Sequence, residues 1–371
     1  MAAIITSWMV TSCRSSQRSY QNGGGAYLFM EKKNGVSTIR ILDLNTLKYT
    51  DIDVPLSNPH SAQRILSTKH EIIAFDFMGA AVKANPETGE VIRFPASGGV
   101  FMGHATQTND GSIIWSTEMT KSGELIVRGR SSADFKPLSG KLYEFPGGHH
   151  IAKLPESSLL SSSWYSKEEE RPYVRFYDRD NGTSKLTGLP RNIFVSHLMP
   201  LSSSEVVCIT NQLRDTGASN EWDKKHIIKT TNETLNRFAA ILPEKKEPAR
   251  ELDLAAPSPL IYANTSGETK MFWPNEKEQL FRFGFGIDSV PGAKNKFVSS
   301  HTLSNTIAIW NGLELDHFVD VQAPMGVIAT PDGKKILVLS MGELKIYSLE
   351  NQKFEESLRY ERPVTSISRY S

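Results

Sequence analysis

The chain has 371 residues, 39% hydrophobic and 22% charged, an ordinary balance for a globular protein. Lys plus Arg number 42 against 41 for Asp plus Glu, a net charge of +1, so no concentrated basic surface and no nucleic-acid partner are expected. The 2 cysteines, Cys13 and Cys208, exclude a disulfide framework.

The chain opens on a short apolar stretch that ends Val10-Thr11-Ser12-Cys13. That ending resembles the lipobox of bacterial lipoproteins, in which small residues precede a cysteine that becomes lipidated. The resemblance implies a signal segment over residues 1–13, lipidation at Cys13, and a linker over residues 14–25. It also implies a bacterial periplasmic or outer-membrane location in which the lipid is the only membrane contact. No Lys or Arg precedes the apolar run, a departure from export signals, and the other reading is a tail with an isolated cysteine. The stretch is too short to span a bilayer, and no other segment approaches that length.

From residue 26 to residue 371 the chain reads as one domain of short apolar strands separated by polar turns. The first strands lie between Ala26 and Pro55. A phrase then returns about every 45 residues: a histidine, a short strand, a turn, and an apolar second strand. It runs Pro59-His60-Ser61, Gly103-His104-Ala105, Gly148-His149-His150 and Ser196-His197-Leu198. The turns are rich in Asn, Asp and Gly, which tolerate left-handed backbone and bond their own main chain. Thr330-Pro331-Asp332-Gly333-Lys334 and its echo Thr108-Asn109-Asp110-Gly111 each lead from an inner strand into a second strand.

A strand-built period of this size points to an all-β fold, a seven-bladed β-propeller. Later blades are expected to start near Pro59, Gly103, Gly147, Val195, Pro257 and Pro324. Val364 to Ser368 looks like an inner strand without a blade, and Ala26 to Pro55 like a blade without an inner strand. The N- and C-terminal strands are therefore expected to share one blade and close the ring. Residues 265–295 leave an eighth blade open. A long stretch near Leu213 to Lys225 carries Trp222, read either as a partner-binding residue or as packing for its own loop.

Inner strands of a propeller line its axis, so His60, His104, His149, His150 and His197 are expected near one end of one channel. Converging imidazoles suit a metal ion such as iron, copper or zinc, with Glu118 as a completing carboxylate. The competing reading has each imidazole bonding the main chain of a neighbouring blade. No serine-nucleophile elbow, phosphate-binding loop or helical zinc motif occurs, and no catalytic residue is singled out.

The Pro-Asp-Gly-Lys phrase resembles YVTN-type and lactonase-type propellers. Gly103-His104, Asn109-Asp110-Gly111, Trp115 to Glu118, Phe145 to His149 and Ser299 to Trp310 resemble an uncharacterised family of exported bacterial seven-bladed propellers. That family is associated with iron-uptake components of the EfeUOB and imelysin kind. The resemblance suggests iron, and the chain as a whole is read as a monomeric, non-enzymatic envelope protein that binds a partner protein or ligand at one face and acts in metal acquisition. The alternative is a channel-mouth enzyme, a lactonase-like or metal-dependent hydrolase or isomerase.

Overall fold

The computed structural model describes residues 25–33, 35–96, 98–166, 168–214, 251–252, 256–272, 281–340, 342–359 and 364–369. Cys13 and Trp222 lie outside the described residues. Among the described residues the only helical turns are the three-residue Lys141–Tyr143 and Thr302–Ser304. No described helix is long and apolar enough to cross a membrane.

The strands form antiparallel four-stranded meanders, with a short extra strand, Glu251–Leu252, beside the fifth. The inner strands, in chain order from the second meander, are Pro59–Arg64, Gly99–Gln107, Ile151–Lys153, Ile193–Pro200, Gly284–Ser289 and Gly326–Ala329. Each touches the next, and Gly326–Ala329 touches Val364–Arg369, which in turn touches Pro59–Arg64. The inner strands therefore close a ring, as in a β-propeller.

The closure is as expected. Val364–Arg369 pairs with Ala26–Lys33, so the first and last strands share a sheet with Val36–Asp43 and Lys48–Val54. Two neighbouring meanders are also joined edgewise, because Phe77 and Gly79 of the second pair with Met102 and Phe101 of the third.

Neighbouring sheets pack face to face, so middle strands bury both faces and read as unbroken apolar runs. Ile336 to Ser340 are all buried, while the outer strand Glu314–Asp320 alternates between exposed and half-buried residues. The core lies between sheets. Leu28, Ile39 and Ile41 meet Ile72, Ala74 and Val82 across one gap, and Val298, Ile307 and Ile309 meet Ile336 and Val338 across another.

One expected boundary is corrected. Pro257 does not open a blade: Leu260–Asn264 pairs with Glu205–Arg214 as the third strand of the sheet begun at Ile193. The next inner strand is Gly284–Ser289. A long insertion between second and third strands broke the period there, and Phe281 to Phe285 lead into an inner strand rather than forming a blade.

Candidate metal centre

The site begins with three irregular strands. Pairing of Pro59–Arg64 slips between Pro59 and Ser61, at His60. Pairing of Gly99–Gln107 slips between Phe101 and Ala105, around His104, and that of Ile193–Pro200 slips between Val195 and His197. A β-bulge re-aims the side chain it carries. His149 and His150 immediately precede Ile151–Lys153. The histidines thus sit at bulges or strand entries, not uniformly at strand beginnings.

Polar residues on the second strands hold these irregular backbones. Thr117 donates through Oγ1 to the His104 carbonyl at 3.1 Å and accepts the His104 amide at 3.3 Å. Ser162 donates to the His150 carbonyl at 2.9 Å and accepts the Gly148 amide at 3.1 Å. The Asn211 amide group donates to Ser196 Oγ at 2.6 Å, beside His197, and its carbonyl oxygen accepts the Gly284 amide at 3.0 Å. Sequence reading missed these residues. The available signal was a small polar residue late in each apolar second strand.

Gly103 has a role specific to this site. Its φ is +93°, and a Cβ there would collide with the His60 ring. Glycine before His104 thus lets two imidazoles from adjacent sheets approach.

The rings do converge. His104 Nε2 lies 2.9 Å from His60 Nε2 and 3.2 Å from His149 Nε2. His104 is the hub, with ring centroids at 4.6 Å to His60, 4.5 Å to His149 and to His150, and 4.9 Å to His197. Two three-histidine groups have ligand atoms within 4.8 Å of one another: His60, His104 and His149, and His104, His150 and His197. Phe77 packs 5.5 Å from both His60 and His149, and Phe285 packs 5.6 Å from His197.

Burial keeps these rings neutral. It pushes His60 down to about 3, helped by His197, and His197 down to about 4. His104, His149 and His150 are also driven well below the usual imidazole range, by burial first and by one another second. The Met102 and Phe285 main chains act in the opposite sense on His149 and His197. The buried Nδ1 atoms of His149 and His197 make no full hydrogen bond.

Other polar groups around the site have partners of their own. His150 Nδ1 accepts the Leu198 amide at 3.2 Å, which is the main-chain role weighed against metal binding. Glu118 is corrected: it is buried in an ion-pair network with Arg130 at 2.9 Å and Arg128 at 3.1 Å, and is not among the groups that could hold a metal. Its cross-strand setting on Ile113–Thr120 aims it at these arginines. Asp76 accepts the Asn58 amide at 2.8 Å and the Ser57 amide at 3.2 Å, and so holds a loop. His301 is buried against Phe281 and bonds Ser299 at 2.9 Å.

No family model matches the chain, and no curated protein matches it. Many solved structures share the fold. The WD40 repeats of RRP9 match at 10% identity over 82% of this chain and 81% of that one, with a TM-score of 0.55. A protein assigned as a 6-phosphogluconolactonase from Bacteroides uniformis matches at 14% identity over 92% and 98%, with a TM-score of 0.61. The dihydro-heme d1 dehydrogenase NirN, in complex with DHE, matches at 9% identity over 96% and 77%, with a TM-score of 0.54. At such identities the likeness carries the propeller fold, and that fold serves scaffolds and enzymes alike.

Proposed function

We propose that this β-propeller is a non-enzymatic metal-binding protein whose imidazole cluster takes one first-row transition-metal ion. The observation that carries the reading is the convergence of two Nε2 atoms, those of His60 and His149, on that of His104. A neutral ring presents either a lone pair or an N–H at Nε2, so His104 Nε2 makes at most one linear hydrogen bond with its two neighbours. A cation accepting three lone pairs satisfies all of them. Tetrahedral ligands at about 2.0–2.1 Å from zinc stand roughly 3.3 Å apart, close to the observed 2.9 and 3.2 Å. The rings need lose no proton to bind, since burial already holds them neutral.

Imidazole-only donors suit copper or zinc. Iron in the familiar two-histidine, one-carboxylate arrangement would need a carboxylate such as Glu118, which two arginines already hold. The iron-acquisition role therefore ranks below copper or zinc binding.

Protein stripped with EDTA is expected to take up one Cu(II) or Zn(II) per chain, by calorimetry and elemental analysis. His104→Ala should weaken uptake by about 100-fold or more. Stripped protein that takes no ion, or a His104→Ala variant with unchanged affinity, sinks the reading. The enzyme alternative draws on the open position that three ligands leave, the arrangement of catalytic zinc. It requires metal-dependent ester or lactone hydrolysis that His104→Ala removes.

We further propose, on the sequence pattern, that Cys13 anchors the protein by lipid in the bacterial envelope and that the Trp222 loop meets a protein partner there. Mass spectrometry of the mature protein should find a lipid-modified cysteine at its N-terminus. An unmodified chain that begins at Met1 counts against the anchor.

A further inference from the structure

The five imidazoles do not have equal chemistry. His104 belongs to both three-histidine groups, with His60 and His149 in one and His150 and His197 in the other. A neutral imidazole has one lone pair in the ring plane and one N–H. At His150 the lone pair is already spent, because Nδ1 accepts the Leu198 amide of the neighbouring sheet at 3.2 Å. Its Nε2 must then carry the proton, and His150 has nothing left to give a cation. In the other group, the Nε2 atoms of His60 and His149 both face that of His104.

Charge makes a second demand. Three neutral ligands leave a divalent ion uncompensated in a buried place, which is costly. Two buried carboxylates are already engaged, Glu118 by arginines and Asp76 by loop amides. Phe77 and Phe285 wall the cluster with apolar rings, which limits what can enter.

Resting on the metal reading above, we infer that the ion sits on His60, His104 and His149 and recruits a small monovalent anion as its fourth ligand. His150 is a positioning residue that offers an Nε2–H to that anion. Its ring centroid, 4.5 Å from that of His104, sets it beside the ion's ligand sphere. The anion supplies one of the two charges that the protein withholds, and the phenylalanine walls exclude large ones.

The test loads stripped protein with one equivalent of Cu(II) and titrates sodium azide, followed by the azide-to-copper charge-transfer band and by EPR. His60→Ala and His149→Ala should lose the copper. His150→Ala should keep one copper per chain and bind azide about tenfold more weakly, the loss of one charge-assisted hydrogen bond. A thermal melt of each variant identifies any that fails to fold. If His150→Ala misfolds, His150→Asn, whose amide oxygen replaces the acceptor of the Leu198 amide, should show the same weakened azide binding. Wild-type protein that takes no copper overturns the metal reading and this inference together. Copper bound normally by wild type but lost in His150→Ala, or azide affinity unchanged in the folded variant, overturns this inference alone.

Discussion

Gly103 shows how a single residue admits the cluster. With φ at +93° and the His60 ring against its absent side chain, it has no room for a methyl group. Gly103→Ala combines a strained backbone with a steric collision, and should cost about 1–3 kcal/mol. The expected reading is a lower urea midpoint together with weakened Cu(II) uptake. A variant as stable as wild type with full copper binding would deny Gly103 this role. The Gly-His phrase was legible in the sequence, but its reason was not, because the imidazole that needs the space is 43 positions away in the chain on another sheet, as the 44-residue His60–His104 bond implies.

The elements repeat one device, an irregular inner strand tied down by a polar residue on the second strand. Asn211 is the most connected instance. It is buried and bonds Ser196 Oγ, Ser258 Oγ at 2.7 Å and both main-chain groups of Gly284, whose carbonyl lies at 3.1 Å. Asn211→Ala leaves several of these groups unpaired and should destabilise the fold by about 2–4 kcal/mol, measured by urea denaturation. A loss under about 0.5 kcal/mol would mean that these bonds are replaced by water. The strands themselves were readable, since apolar runs between Asx-Gly turns mark hairpins: Thr108 and Thr330 bond Asp110 and Asp332 at 2.6 Å in two such turns. The bulges were not, because a slipped pairing depends on the partner strand and leaves no trace in composition. The boundary near Pro257 failed for a related reason. Counting by period assumes loops of constant length, and the sheet begun at Ile193 has its third strand at Leu260–Asn264.

At the scale of the molecule, ring closure is reinforced by charge. Arg369 on the closing strand pairs with Asp288 on Gly284–Ser289 and donates to the Ala329 carbonyl at 3.1 Å, so it ties three sheets together. Asp288 also accepts the Ala329 amide at 2.8 Å. Burial raises the Asp288 carboxyl to about 6, against the pull of Arg369. An unfolded aspartate titrates near 3.9, so the native state holds this proton more tightly. The contribution is full below about pH 4 and is lost as pH rises through 6, about 1–2 kcal/mol across that window. Other carboxylates give the opposite slope, so the comparison that matters is with Asp288→Asn, which should lose this share of the pH dependence between 4 and 6 in urea denaturation. Identical pH profiles for the two proteins would show that Asp288 does not titrate in that range.

The shared first sheet also has a consequence in time. A ribosome delivers every imidazole of the cluster by His197, while the strand that completes the first sheet is the last to emerge of those described. Until Val364–Arg369 arrives, Ala26–Lys33 presents a bare edge to any other chain nearby. The nascent protein can thus assemble its histidines long before its ring is shut. Keeping that open edge from pairing with a neighbouring chain falls to whatever attends it during synthesis.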